Sequence, residues 1–249
     1  MRKINNTISA IPATAKDHSG SHINMEPLSV GTDHELDEML HHSLGGIKTP
    51  LRAGAFDASP EEKIRIIASH VEAILHTLGM DLTDESIRET PLRVAKMYVQ
   101  ETFRGLDPAN KPGITLFSNV YRYRQMLVEK DITFYSTCEH HLVPIFGKAH
   151  VAYFSSGKVI GLSKLNRLVD YYARRPQVQE RLTIQIAAAL REALETEDVA
   201  VMIDSAHLCV ASRGIRDVNS TTITTEYCGK FRNMDVRREF LSYIGKDHR

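Results

Sequence analysis

The fold predicted by the sequence is α+β: an antiparallel sheet accompanied by paired helices, with a helical region ahead of it. Two observations lead there. Up to Gly105 the apolar residues recur at helical spacing, whereas "QMLVEKDITFYS" and "GKAHVAYFSSGKVIGL" alternate apolar with polar residues or carry β-branched and aromatic ones. Two helical stretches then separate these strands from a second extended set, and strand pairs flanking paired helices are the mark of an α+β domain.

Residues 1–31 are polar, without periodicity and without the apolar segment of a secretory signal, and are read as a flexible tail. A helical region over 32–108 follows. "DHELDEMLHHSL" sets Leu36, Met39, Leu40 and Leu44 on one side. "SPEEKIRIIASHVEAILHTLG" offers Ser59 as N-cap, Pro60 in the first turn, an apolar stripe from Ile64 through Leu75, and Gly79 as the stop. "TPLRVAKMYVQETFRG" is expected to be capped by Thr90, started by Pro91 and ended by Gly105.

The sheet domain is placed at 109–249. Its strands are joined through a turn at Ser156-Gly157. Its helices are "SKLNRLVDYYARR", expected to be capped by Ser163, and "PQVQERLTIQIAAALREALE", expected to open at Pro176 with Val178, Leu182, Ile186 and Leu190 as its stripe. "DVAVMIDSAHLCVASRG" and "VNSTTITTEYCGKF" return to period two, and "DVRREFLSYI" closes the chain as a helix.

Composition excludes several classes of function. With 249 residues, 42% hydrophobic and 25% charged, the chain can bury a sizeable core without staples. No apolar run reaches the length of a membrane span. Lys plus Arg equals Asp plus Glu at 31 each, so no global field draws in nucleic acid, and a polyanionic ligand must be held by a local cluster. Cys138, Cys209 and Cys228 are odd in number and far apart, which fits thiols used for ligation or chemistry in a reducing compartment, and a cytoplasmic placement is expected.

Two short segments carry the chemistry. "STCEHHLVP" puts Cys138, Glu139, His140 and His141 side by side, and the Cys138-x2-His141 spacing lets a turn bring two ligands to one ion. In "HLC", His207 and Cys209 are two apart in an extended segment, so both are expected to point from one face at one spot. Two thiolates and an imidazole suit zinc and leave its fourth position open, which marks a catalytic ion and implies hydrolysis.

"STCEHH", "GLSKLNRLVDYYARRPQVQERLT", "HLCVASRGIRDVNSTTITT" and "ETPLRVAKMY" together resemble GTP cyclohydrolase I in its bacterial form, over residues 33–245. The resemblance implies the tunnelling fold, an antiparallel sheet with helices on one face, assembled as a homodecamer with active sites between subunits. It implies one zinc ion per subunit and a reaction in which the guanine imidazole ring of GTP is opened, formate is released and a pterin ring is closed, giving 7,8-dihydroneopterin triphosphate.

Carried over by position, the zinc ligands are Cys138, His141 and Cys209, in agreement with the spacing. His140 and His207 are the histidines beside the guanine ring, with His207 the proton donor to N7, His140 a shuttle in ring opening, and Ser163 near the ribose hydroxyls. Gln179 and Glu180 match the guanine-reading residues, and Glu139 is placed with them on the substrate. A carboxylate suits guanine, whose N1–H and N2–H₂ are adjacent donors. Lys164 and Arg167, at i, i+3 beside a helix start, are expected on the triphosphate with Arg213, and Arg93 and Lys96 match phosphate positions supplied by a neighbouring subunit.

Overall fold

The computed structural model describes residues 48–245, all within the compact unit Leu44–Arg249. The expected tail over 1–31 and the expected helix over 33–44 lie outside the described residues. Helix α1, Pro60–Thr77, begins as its sequence dictates: the Ser59 hydroxyl accepts from the Glu62 N–H at 3.2 Å, Pro60 fills the first turn, and Gly79 takes a φ of +83° after the last turn. Of its apolar stripe only Ile64 is buried, and Ile74 is 57% exposed.

Helix α2, Thr90–Met97, is followed by a π-helical turn, Tyr98–Thr102, and by 3₁₀ turns Arg104–Leu106 and Pro108–Asn110. Thr90 is not the cap. Glu89 before it already has helical φ and ψ, so the hydroxyl of Thr90 lies inside the first turn rather than ahead of it. Gly105 does not end the helix either. It is buried within a 3₁₀ turn, where an added Cβ would meet the Tyr171 carbonyl oxygen at 2.0 Å.

The sheet then forms. Strands β1 (Leu116–Ser118), β2 (Leu127–Cys138), β3 (Pro144–Tyr153) and β4 (Lys158–Ile160) are followed by helix α3 (Leu162–Ala173), strand β5 (Pro176–Gln177) and helix α4 (Gln179–Leu194). Strand β6 (Val199–His207), the short helix α5 (Leu208–Ala211), strand β7 (Thr222–Tyr227) and helix α6 (Met234–Ile244) complete the described chain. The main sheet has the order β5-β2-β3-β6-β7, antiparallel except where β5 lies parallel to β2, and β1 pairs with β4 separately.

The alternation of β2, β3 and β6 sends one set of side chains toward α3 and α4. Phe134, Ile145, Val151, Val201 and Ile203 pack there with Leu165, Leu168, Leu182, Ile186 and Leu190. This sheet with two helices on one face agrees with the tunnelling fold. On the opposite face α6 covers one end, where Phe240 and Phe231 pack with Ala152 and Ala200.

Three local expectations are corrected. Gly161 occupies the N-cap of α3 and makes no side-chain cap, so Ser163 is a first-turn residue. Pro176 does not open α4: with Gln177 it pairs beside Thr137 and Cys138, and the proline's fixed φ serves an extended segment as well as a helix start. Finally, β6 ends at His207 and Leu208 begins a helical turn, so Cys209 does not share a strand face with His207.

Candidate metal centre and active site

Topology brings the two cysteine segments to one edge. β3 runs antiparallel to both β2 and β6, so β2 and β6 run in the same direction and finish at the same end of the sheet. Two strand spacings separate them, about 10 Å. A turn at the end of each strand closes the gap. After β2 the chain reverses through Leu142, whose φ is +53°, with the Leu142 N–H on the Cys138 carbonyl at 2.9 Å and the Cys138 N–H on the Val143 carbonyl at 2.8 Å. After β6 the turn of α5 swings Cys209 inward.

As a result one ligand atom each from Cys138, His141 and Cys209 lies within 4.8 Å of the others. Cys138 is buried, Cys209 half-buried and His141 exposed. Burial pushes the Cys209 thiol up, the neighbouring Cys138 sulfur adds to this, and the Arg213 guanidinium opposes it. Two sulfurs and an imidazole form a soft donor set that fits zinc, and a divalent charge between them would oppose the upward push on the Cys209 thiol.

Around this group lie several of the expected residues. His140 sets Nδ1 3.7 Å from the Cys138 sulfur, and Arg213 sets Nη1 3.0 Å from His141 Nε2. Glu139 is ion-paired with Arg181, which also donates to the Gln177 side chain at 2.9 Å and to the Pro176 carbonyl at 3.1 Å. His207 is half-buried, and burial holds it below the ordinary imidazole range while the nearby Glu180 carboxylate works in the other direction. Its Nε2 lies 2.7 Å from the Gln179 side-chain oxygen.

Gln179 and Glu180 begin α4 and point differently. Glu180 is exposed; Gln179 is 2% exposed and both of its amide atoms are engaged within the protein. Other expected residues stand apart from the metal group. Ser163, Lys164 and Arg167 lie on the first turns of α3, and Arg167 lines a separate cleft of about 340 Å³ with Arg104, Asn110 and Asp170. Arg93 and Lys96 sit exposed on α2. Among the described residues no hydrogen bond or ion pair joins any of these five to the cluster.

Sequence reasoning missed Arg181 and Ser205, which are 9% and 2% exposed. A signal for Arg181 existed in the four-residue spacing of Gln177, Arg181 and Gln185. Arg181 donates to Gln177, and Gln177 donates to Gln185 at 2.9 Å, forming a polar row on a buried face.

The family profile described as GTP cyclohydrolase I matches residues 67–245, more than half of the chain. The chain belongs to the GTP cyclohydrolase I family. Within the family, GTP cyclohydrolase 1 of Flavobacterium johnsoniae is 62% identical over 206 residues, covering 83% of this chain and 92% of that one. The Vibrio cholerae enzyme of the same name is 54% identical, covering 79% and 90%, and that of Citrobacter koseri is 50% identical, covering 83% and 94%. All the residues that form the cluster at the sheet edge fall inside the family match.

Proposed function

We propose that this protein converts GTP to 7,8-dihydroneopterin triphosphate with release of formate, as a zinc enzyme. The observation that carries the reading is the convergence of Cys138, His141 and Cys209 from two separate turns of chain beside His140, His207 and Glu180, in a member of this family. Zinc would be held by Cys138, His141 and Cys209, and when bound it supplies the Lewis acidity needed to make water a competent nucleophile at neutral pH.

The protein's own groups do the rest. His207 gives a proton to guanine N7, which makes C8 electrophilic, and burial, by disfavouring the charged ring, makes that form the readier proton donor. His140, against the Cys138 sulfur, is placed to carry protons as the opened ring loses formate. Glu180 accepts from guanine N1–H and N2–H₂, an array adenine lacks, so ATP would leave the carboxylate unpaired at a cost of about 10⁴-fold or more in kcat/KM. Ser163 serves the ribose, and Glu139 shapes the base pocket from its ion pair with Arg181. Arg213, Lys164 and Arg167 receive the triphosphate.

Arg93 and Lys96, exposed on α2, are read, as the resemblance implies, as cations supplied to a neighbouring copy's site in a closed assembly, a homodecamer. In this reading the domain set at 109–249 carries the metal and base sites, and helices α1 and α2 ahead of it serve the assembly. Thiols suited to ligation in a reducing compartment favour a cytoplasmic enzyme in this reading, and no helix among the described residues is long and apolar enough to cross a membrane.

The test is turnover of GTP by zinc-loaded protein, followed as formate release together with pterin fluorescence. ATP should give neither signal. Zinc binding without formate from GTP would defeat the proposal.

A further inference from the structure

Gln179 lies in the first turn of α4 yet is 2% exposed, and every polar atom of its side chain has a partner. Its nitrogen is 3.1 Å from the Ile203 carbonyl, 2.8 Å from the Thr222 carbonyl and 3.1 Å from the Thr224 hydroxyl. Its oxygen is 2.7 Å from the Ser205 hydroxyl and 2.7 Å from His207 Nε2.

This pattern has one orientation. Carbonyl oxygens only accept, so a flipped amide would set oxygen against the oxygens of Ile203 and Thr222. The amide oxygen therefore faces His207, and because it too can only accept, His207 Nε2 must carry a hydrogen. Among the described residues, Nδ1 is the ring nitrogen left without a protein partner.

We infer that Gln179 is a positioning residue for His207: it fixes the ring's orientation and holds the Nε2 hydrogen, so that Nδ1 is the ring nitrogen left to meet the substrate. The order is set by the sheet. The backbone carbonyls of β6 and the segment entering β7 orient the amide, and the amide orients the imidazole. Nε2–H stays on Gln179, so a substrate contact at Nδ1 does not compete with the hydrogen bond that holds the ring. The role rests on the proposed reaction at His207, and it replaces the base-reading role expected of Gln179, whose amide has no free donor or acceptor to offer guanine.

The experiment compares Gln179→Met with Ser205→Ala in the zinc-loaded enzyme and reads the His207 ring by ¹⁵N NMR in the unaltered protein. Gln179→Met should lower kcat about 10- to 100-fold, the worth of one buried hydrogen bond to a group that becomes charged, with KM for GTP within about threefold and zinc content unchanged. Ser205→Ala loses an equally buried bond to the same oxygen but leaves His207 on Gln179, and should keep kcat within about threefold.

A KM raised more than tenfold at unchanged kcat would restore the base-reading role and overturn the inference. Equal losses of kcat in both variants would reduce Gln179 to support of the fold, and unchanged kcat in Gln179→Met would remove the role altogether. The ring spectrum needs neither variant nor turnover: neutral His207 should show hydrogen on Nε2 and a bare Nδ1. The opposite tautomer refutes the inference even if GTP is the substrate, whereas absent turnover with the expected tautomer would count against the proposed reaction alone.

Discussion

Arg181→Met is the sharpest test of how the metal turn is held. The Arg181 side chain is 10% exposed and that of Glu139 27%, and Arg181 spreads its donors over the Glu139 carboxylate, the Gln177 amide and the Pro176 carbonyl. Methionine keeps most of the packing volume and removes all of these bonds. Stranding one partner of a fully buried pair costs about 3–5 kcal/mol, and the water that reaches Glu139 brings the expected loss down to about 2 kcal/mol. Because Glu139 adjoins Cys138 and its N–H is bonded to the Gln177 carbonyl at 3.0 Å, the same change loosens the turn that sets Cys138 against His141. Support of that kind around ligands is worth about 10- to 100-fold in metal affinity. Urea unfolding of metal-free protein measures the first effect and zinc competition against a chelator the second. Adding Glu139→Gln should recover part of the stability, since the stranded charge is then gone, but not the zinc affinity. If Arg181→Met unfolds at the wild-type urea concentration and holds zinc as tightly, the ion pair does not organise the turn.

Three further outcomes are expected. Cys209→Ser should lose zinc and turnover together, whereas His207→Ala should retain zinc at one per subunit and lose turnover, as read by metal analysis and formate release. Gly147→Ala would set a Cβ 2.1 Å from the Asp204 carbonyl oxygen and 2.6 Å from the Ser205 Cα, so β6 must move where it approaches the site, with a loss of about 1–3 kcal/mol in urea unfolding. His150 is 5% exposed, accepts from the Asp131 N–H at 3.2 Å, and is held below the ordinary imidazole range by burial, against the attraction of Asp131 and Asp204 and with the help of Lys130 and Lys148. The unfolded chain therefore takes up this proton first: the stability it contributes is full above about pH 6.5 and is lost as pH falls through that value toward the lower folded pKa. His150→Asn, whose side-chain oxygen can still accept from Asp131, should flatten the fall in urea midpoint between pH 7.5 and 5.5, and an identical slope in both proteins would refute the assignment.

What was legible in the sequence depended on how local its cause was. Ser59 and Pro60 start α1 where expected because a cap is decided within a few residues. Cys138 and His141 meet because their turn is self-contained, closed by bonds between Cys138 and residues 142 and 143. The placing of His207 and Cys209 on one strand face was wrong: it assumed one continuous strand, and the chain leaves the sheet at His207. β1 is three residues long, too short for alternation to register, and only its pairing with β4 defines it. Arg181 was only half legible: the spacing of Gln177, Arg181 and Gln185 hints at a polar row, but a helical arginine is exposed by default and its charge partner, Glu139, is 42 positions away.

The same distinction separates Gln179 from Glu180. Neighbouring helical residues point about 100° apart, so two adjacent side chains at a helix start do not present themselves equally to one ligand. The sequence joins them as one polar pair, and only the sheet decides which turns inward. The carbonyls of Ile203 and Thr222 lie under α4 on the side of Gln179, and their demand for donors draws its amide in, leaving Glu180 on the open side near His207. A buried amide that meets the sheet's carbonyls on one end and an imidazole on the other transmits the position of β6 to the ring proposed as the proton donor. For that reason a shift of β6 at Gly147 should disturb turnover more than its cost in stability implies.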